Sequence, residues 1–240
     1  MTGAAKPNAV RWCVVAFLQI VVWAGAPASA RAQIYIGQDI PHGGNLEIGG
    51  GIAWLPGSNL GSASAEETRN PGTGTGPFVL FSADSRTAAA AGLQGRFGGY
   101  LSRSLSLEAG VLFSRPELST RLTGDAESAP ELTATETLKR FVLDGSALFH
   151  LTGLSFGGGR GTPFLSGGGG YLRDLHEKNE VAETGHEFHF GGGLHYWFGQ
   201  GKHRVGVRTD FGISRRSGGA DAVDTTRTIP VISGSIAYLF

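Results

Sequence analysis

The residues whose types could do chemistry gather in the C-terminal third. His186-Glu187-Phe188-His189 puts two imidazoles and a carboxylate within four positions, the groups used for zinc ligation and for general acid-base catalysis. The spacing is one residue short of H-E-x-x-H. The alternation around it marks a strand, which sends His186 and His189 to opposite faces. Metal binding is therefore not expected. Glu187, His189 and His195 do share a face, and an acid-base or nucleophilic site would need a serine or carboxylate at matching height. No serine or aspartate occurs in a motif context that supplies one, so no catalytic residues and no cofactor are assigned, and the chain is expected not to be an enzyme. The glycine runs 157–159, 167–170 and 191–193 neither open a helix nor carry a following Lys with Ser or Thr, so they are not phosphate loops. Their expected role is steric: glycine leaves room for long Arg and Tyr side chains and lets a sheet curve tightly.

Positioning these residues falls to strands, because alternation with period two recurs along the chain and helical periodicity is hard to find. Eight strands are expected, at about 45–55, 88–101, 105–115, 135–151, 162–173, 186–198, 203–214 and a last one running through Ile232 to Phe240. Their more apolar faces carry Ile48, Ile52 and Trp54; Leu93 and Phe97; Leu107, Val111 and Phe113; Phe141, Leu143 and Phe149; Phe188, Phe190 and Phe198; Val205, Val207, Phe211 and Ile213; and Ile236, Tyr238 and Phe240. In the glycine-dense fifth strand the facing is open, although Leu165 and Tyr171 share a parity. The apolar faces read in this way are free of charge in a chain that is 17% charged. Glu47, Arg96, Glu108, Arg140, Asp144, Arg204, Arg208 and Asp210 all fall on the opposite face. Connections alternate, about 30 and 20 residues after the first and third strands against three and four after the second and sixth, as in a transmembrane barrel with short periplasmic turns. The stretch Thr152 to Gly161 is long for such a turn. Phe78-Val79-Leu80-Phe81 is expected to extend a strand above the membrane or to add a strand pair, and Pro56 to Pro77 to be a mobile surface loop.

The N-terminus reads as a secretory signal over residues 1–30: Lys6 and Arg11, an apolar stretch from Trp12 to Ala26, and Ala28-Ser29-Ala30 as a cleavage site, with Ala30-Arg31-Ala32 as a second candidate. An apolar stretch of about fifteen residues is too short to span a bilayer as a helix. Cys13 leaves with the signal, so the mature chain has no cysteine, no disulfide and no Cys-ligated metal. Losing two of 20 basic residues against 20 acids leaves a slight acidic excess, and nucleic acid is not an expected partner. Residues 31–44 are expected to form a periplasmic segment and 45–240 one barrel domain.

Parity alone does not say which face points outward. A soluble lipocalin-like barrel would turn the apolar face inward around a ligand. The ending Ser233-Gly234-Ser235-Ile236-Ala237-Tyr238-Leu239-Phe240 resembles the C-terminal assembly signal of outer-membrane barrels, with Tyr238 and Phe240 as its aromatics; Ser235 stands where that pattern prefers glycine, and Gly234 comes one place early. With Gly95 to Gly110 as a strand-turn-strand unit, the chain is similar to the small outer-membrane β-barrel family, the OmpA-type transmembrane domain and its relatives. The resemblance implies an all-β, eight-stranded, antiparallel up-and-down transmembrane β-barrel in the outer membrane of a Gram-negative envelope. Its partners would be outer-membrane lipid and, through the last strand, the barrel-assembly machinery. No peptidoglycan-binding domain follows Phe240, so the tethering role of the larger relatives is not expected. The expected function is a structural or surface-interaction role, the surface partner being open. The alternatives are a small porin-like pore, a lipid A-modifying barrel enzyme acting through His189 or His195, and a soluble carrier. In the barrel the eight inner-face charges are expected to form a salt-bridge plug, or to set selectivity in a narrow path.

Overall fold

The computed structural model describes residues 40–67, 78–125, 130–176, 181–220 and 226–240. The signal peptide, its cleavage sites and most of the segment 31–44 lie outside these residues. Period-two alternation becomes twelve strands: β1 (Leu46–Leu55), β2 (Ser58–Glu67), β3 (Phe78–Thr87), β4 (Ala90–Tyr100), β5 (Leu105–Ser114), β6 (Glu117–Thr123), β7 (Leu132–Thr137), β8 (Lys139–His150), β9 (Gly161–Leu175), β10 (Ala182–Phe198), β11 (Arg204–Gly218) and β12 (Thr226–Leu239). Eight of them close a barrel in the order β1-β12-β11-β10-β9-β8-β5-β4, every pair antiparallel. These are the eight strands expected from the sequence. The seam closes where the backbones of Leu46 and Phe240 exchange two hydrogen bonds of 2.9 Å, so the barrel has no open edge.

The other four strands form a sheet ordered β2-β3-β6-β7. They prolong β1, β4, β5 and β8 beyond the rim in the same lateral order, after breaks at Pro56-Gly57, Ala88-Ala89, Arg115-Pro116 and Leu138. The expected loop from Pro56 is thus a strand over Ser58–Glu67, and Phe78 to Phe81 begins another. Proline accounts for two of the breaks, since it cannot donate to a ladder; Leu138 N still reaches Pro116 O at 2.9 Å across them. The free edges are tied down. Arg227 of β12 donates to the carbonyls of Asn59 and Leu60 on β2, and Glu136 of β7 holds His176 at 2.6 Å, with Glu183 3.6 Å beyond. At the opposite end, the Thr152 to Gly161 connection is a short 3-10 turn followed by Gly157, Gly158 and Gly159 at φ of 61°, 73° and 88°. That backbone region is open to glycine and costly to most other residues, so this run serves the turn. Phe156 bridges to Gly161 and packs on Tyr196.

The apolar parity faces out. Leu93, Leu143, Phe188, Phe190 and Ile236 are each more than 60% exposed, in a band that continues around every barrel strand. A soluble protein rarely leaves so large an apolar patch open to water, whereas lipid matches it. The inward-facing alternative, a soluble carrier, is thereby overturned. Charges do occur on the outward parity, at Lys139, Arg173 and Arg215, but only at the loop end, at the start of β8 and near the last residues of β9 and β11. Leu165 and Tyr171 are both exposed, which fixes the facing of β9.

Inside so narrow a barrel, inward Cβ atoms crowd the neighbouring strand. A Cβ on Gly170 would stand 2.7 Å from Leu143 O and 2.9 Å from Asp144 Cβ, while nothing lies within 4 Å of one on the outward Gly234. Gly170→Val is expected to lower stability by about 1–3 kcal/mol through overpacking, and Gly234→Ala to be nearly neutral. Urea midpoints of the two variants in lipid vesicles check this; equal midpoints would remove the steric role.

Candidate functional site: the barrel lumen

The inward parity builds three levels inside the barrel. At the end where the seam closes, aromatic rings and histidines fill the bore. Tyr100 stacks on His150 (5.0 Å between centroids), His150 contacts Phe164 (6.1 Å), Phe164 contacts His195 (6.3 Å), and His195 stacks on Trp197 (4.4 Å). All five are buried, with Leu239 beside them. Glu47 is held here, accepting a hydrogen bond from Tyr100 Oη at 3.1 Å with His195 Nε2 3.5 Å away. Arg204 lies over the Trp197 ring at 5.8 Å, a cation-π arrangement.

Above this floor Arg96, Glu108, Arg208 and Asp210 meet, contributed by β4, β5 and β11. Arg208 pairs with Glu108 and, at 2.7 Å, with Asp210, and its guanidinium lies 4.7 Å over Phe164. Arg96 reaches Asp210 at 2.9 Å and Glu108 at 3.7 Å, and donates to Gln94 and Ser233. Two guanidinium groups thus balance two carboxylates where water is scarce, the condition under which buried charge is tolerated.

The third level surrounds a cavity of about 120 Å³. Asp144, Ser146, Glu187, His189, Ser214 and Arg216 stand around it. Arg216 Nε and Ser214 Oγ donate to Glu187 Oε2 at 3.0 and 3.1 Å, and Ser146 Oγ is 2.8 Å from His189 Nε2. Asp144 has no guanidinium partner among the described residues; its nearest hydrogen bond comes from Ser146 at 3.4 Å. Toward the loop end Leu55, Leu138, Val142 and Leu172 are buried, and Arg140 clasps Asp174 with two bonds of 2.8 Å.

The eight charges picked out by parity all line the inside, but they fall into separate groups. Arg96, Glu108, Arg208 and Asp210 come together; Glu47 and Arg204 lie in the floor, Asp144 beside the cavity, and Arg140 at the loop end. Sequence reasoning missed Asp174 and Arg216 because β9 and β11 run beyond their expected ends at Arg173 and Ser214. It also missed Ser146 as the partner of His189. The pairing of Glu187, His189 and His195 as one site does not occur, since His195 belongs to the floor. Tyr238 and Phe240 are outside, exposed and 6.1 Å apart.

No protein-family profile and no curated protein matches the chain. Among solved structures it is similar to the outer membrane protein OprG from Pseudomonas aeruginosa, at 12% identity and TM-score 0.50, over 85% of this chain and 99% of that one. It also matches the outer membrane protein AlkL determined in lipid bilayers, at 13% identity over 83% and 92% of the two chains, with a TM-score of 0.34 that is too low to bear on function. The likeness is one of fold. It is to outer-membrane barrels in general and does not single out the OmpA-type domain.

Proposed function

We propose that this closed, eight-stranded transmembrane barrel resides in the outer membrane, with the ends of β1 and β12 toward the periplasm, and that it admits small solutes to its lumen. The carrying observation is the cavity. Eight strands leave an interior that side chains can just fill, yet here a space of about 120 Å³ remains, lined by Gly110 and Gly191 together with Asp144, Ser146, Glu187 and His189. A barrel kept only for stiffness would gain by filling it. The aromatic floor shuts the periplasmic side in this conformation, so passage requires Tyr100, His195 or Trp197 to move. The sheet β2-β3-β6-β7, rich in Ser and Thr and raised above the rim, favours a surface-interaction role as a second reading.

Liposome swelling separates the two. Vesicles carrying the folded barrel are expected to swell faster than protein-free vesicles in small polar solutes, and Tyr100→Ala/Trp197→Ala, which empties the floor, to raise the rate by about tenfold or more, because the constriction sets access. Swelling no faster than in empty vesicles, for both proteins and with folding shown by a heat-dependent gel shift, overturns the solute role and leaves the surface role standing.

A further inference from the structure

We infer that Ser146, His189 and Glu187 form a nucleophilic site for short-chain carboxylic esters, whether or not solutes cross the barrel. Ser146 on β8 and His189 on β10 are separated by β9, and both pair in register with Gly168. Because residue 168 has no side chain, the two meet over it: Ser146 Oγ is 2.8 Å from His189 Nε2, and a Cβ on Gly168 would stand 2.7 Å from that nitrogen. On the far side of the ring, His189 Nδ1 lies 3.9 Å from Glu187 Oε1. Ser214 and Arg216 both bind Oε2 of Glu187, which leaves Oε1 to the histidine. Hydroxyl, imidazole and carboxylate in this order are the arrangement that activates a serine; Asp144 Oδ1 stands 3.4 Å from the same hydroxyl, and the shorter contact, to His189, is the one that takes its proton.

The surroundings suit a bound acyl group. All three residues line the cavity, and so does Gln94, whose Nε2 has no partner among the described residues and can donate to an ester carbonyl. The volume is about 120 Å³. A cavity of roughly 150 Å³ holds benzene, so acyl groups of a few carbons fit. Ser146 Oγ attacks the ester carbonyl carbon as its proton passes to His189 Nε2. The carbon-oxygen bond to the alcohol then breaks, and the alcohol leaves with that proton. Water hydrolyses the acyl-serine by the same route, returning Ser146 and a carboxylic acid.

The test treats the detergent-folded barrel with a small alkyl fluorophosphonate and maps the adduct by peptide mass spectrometry. A single adduct on Ser146 is expected, absent in Ser146→Ala and formed about 100-fold more slowly in His189→Gln, the loss typical of a missing general base. Gly168→Ala, whose Cβ would collide with Gly145 O as well as meet His189 Nε2 at 2.7 Å, is expected to slow labelling as well by forcing β8 and His189 away from β9, so the result does not hang on one variant, and the gel shift shows that each is folded. Turnover of 4-nitrophenyl acetate should fall in parallel. An unlabelled Ser146 in a folded barrel, or equal labelling in wild type, His189→Gln and Gly168→Ala, overturns the inference; liposome swelling would be unaffected by that result.

Discussion

Arg208→Met is expected to destabilise the folded barrel by about 3 kcal/mol, the lower end of the roughly 3–5 kcal/mol lost when one partner of a buried ion pair is removed. Arg208 is the hub of the middle level: its side chain is 3% exposed and pairs with both Glu108 and Asp210. Without it two carboxylates share Arg96, which stands 2.9 Å from Asp210 but 3.7 Å from Glu108. The lower end applies because this second guanidinium stays. Adding Glu108→Gln removes the worse-served charge and is expected to return part of the loss, so the double variant should be the more stable of the two. Urea unfolding in lipid vesicles, followed by tryptophan fluorescence, reads both. A loss below about 1 kcal/mol for Arg208→Met would put the network in contact with water and outside the buried-pair regime.

The second large effect concerns the outer wall. Phe190 sits near the middle of β10, 62% exposed, beside Gly167 on one neighbour and Ile213 on the other. Phe190→Arg is expected to cost about 2–4 kcal/mol in a bilayer, where a guanidinium near the midplane has neither water nor a counter-charge. On a water-facing surface the same change would fall within about 0.5 kcal/mol. The comparison is made with Phe190→Leu, which keeps an apolar side chain. If the arginine variant folds into vesicles as stably as the leucine variant, this band does not contact lipid.

The eight barrel strands, and the facing of all but the glycine-dense β9, were legible because one physical rule acts along the wall: lipid on one side and a narrow polar bore on the other impose alternation residue by residue. Ile48, Ile52 and Trp54 against Glu47 and Ala53 is that rule in β1. It weakens where water lies on both faces. In β2 and β7 Ser, Thr and Ala occupy both parities, and Ser58–Glu67 read as loop for that reason. It also weakens in glycine, which has no side to show, and so the facing of β9 stayed open; Asp174 lies one residue past that strand's expected end. The lumen charges were legible as inward-facing but not as partners, because parity gives a direction and not a height. Ser146 and His189 lie 43 positions apart, and only the registers of β8, β9 and β10 bring them to one level.

The seam between β1 and β12 has a consequence for how the barrel is made. Every other barrel pairing joins strands that follow one another around the wall and grows by local hairpin steps. The pairing of Leu46 with Phe240 spans nearly the whole barrel sequence and carries the largest loop-closure entropy, so it is expected to form last and to limit the rate. Until then two strands present unpaired amides and carbonyls in a setting that offers no water to satisfy them. The interval before closure is when the chain is most open to pairing with the wrong neighbour, and a bound strand that shields either edge would act as a chaperone during it.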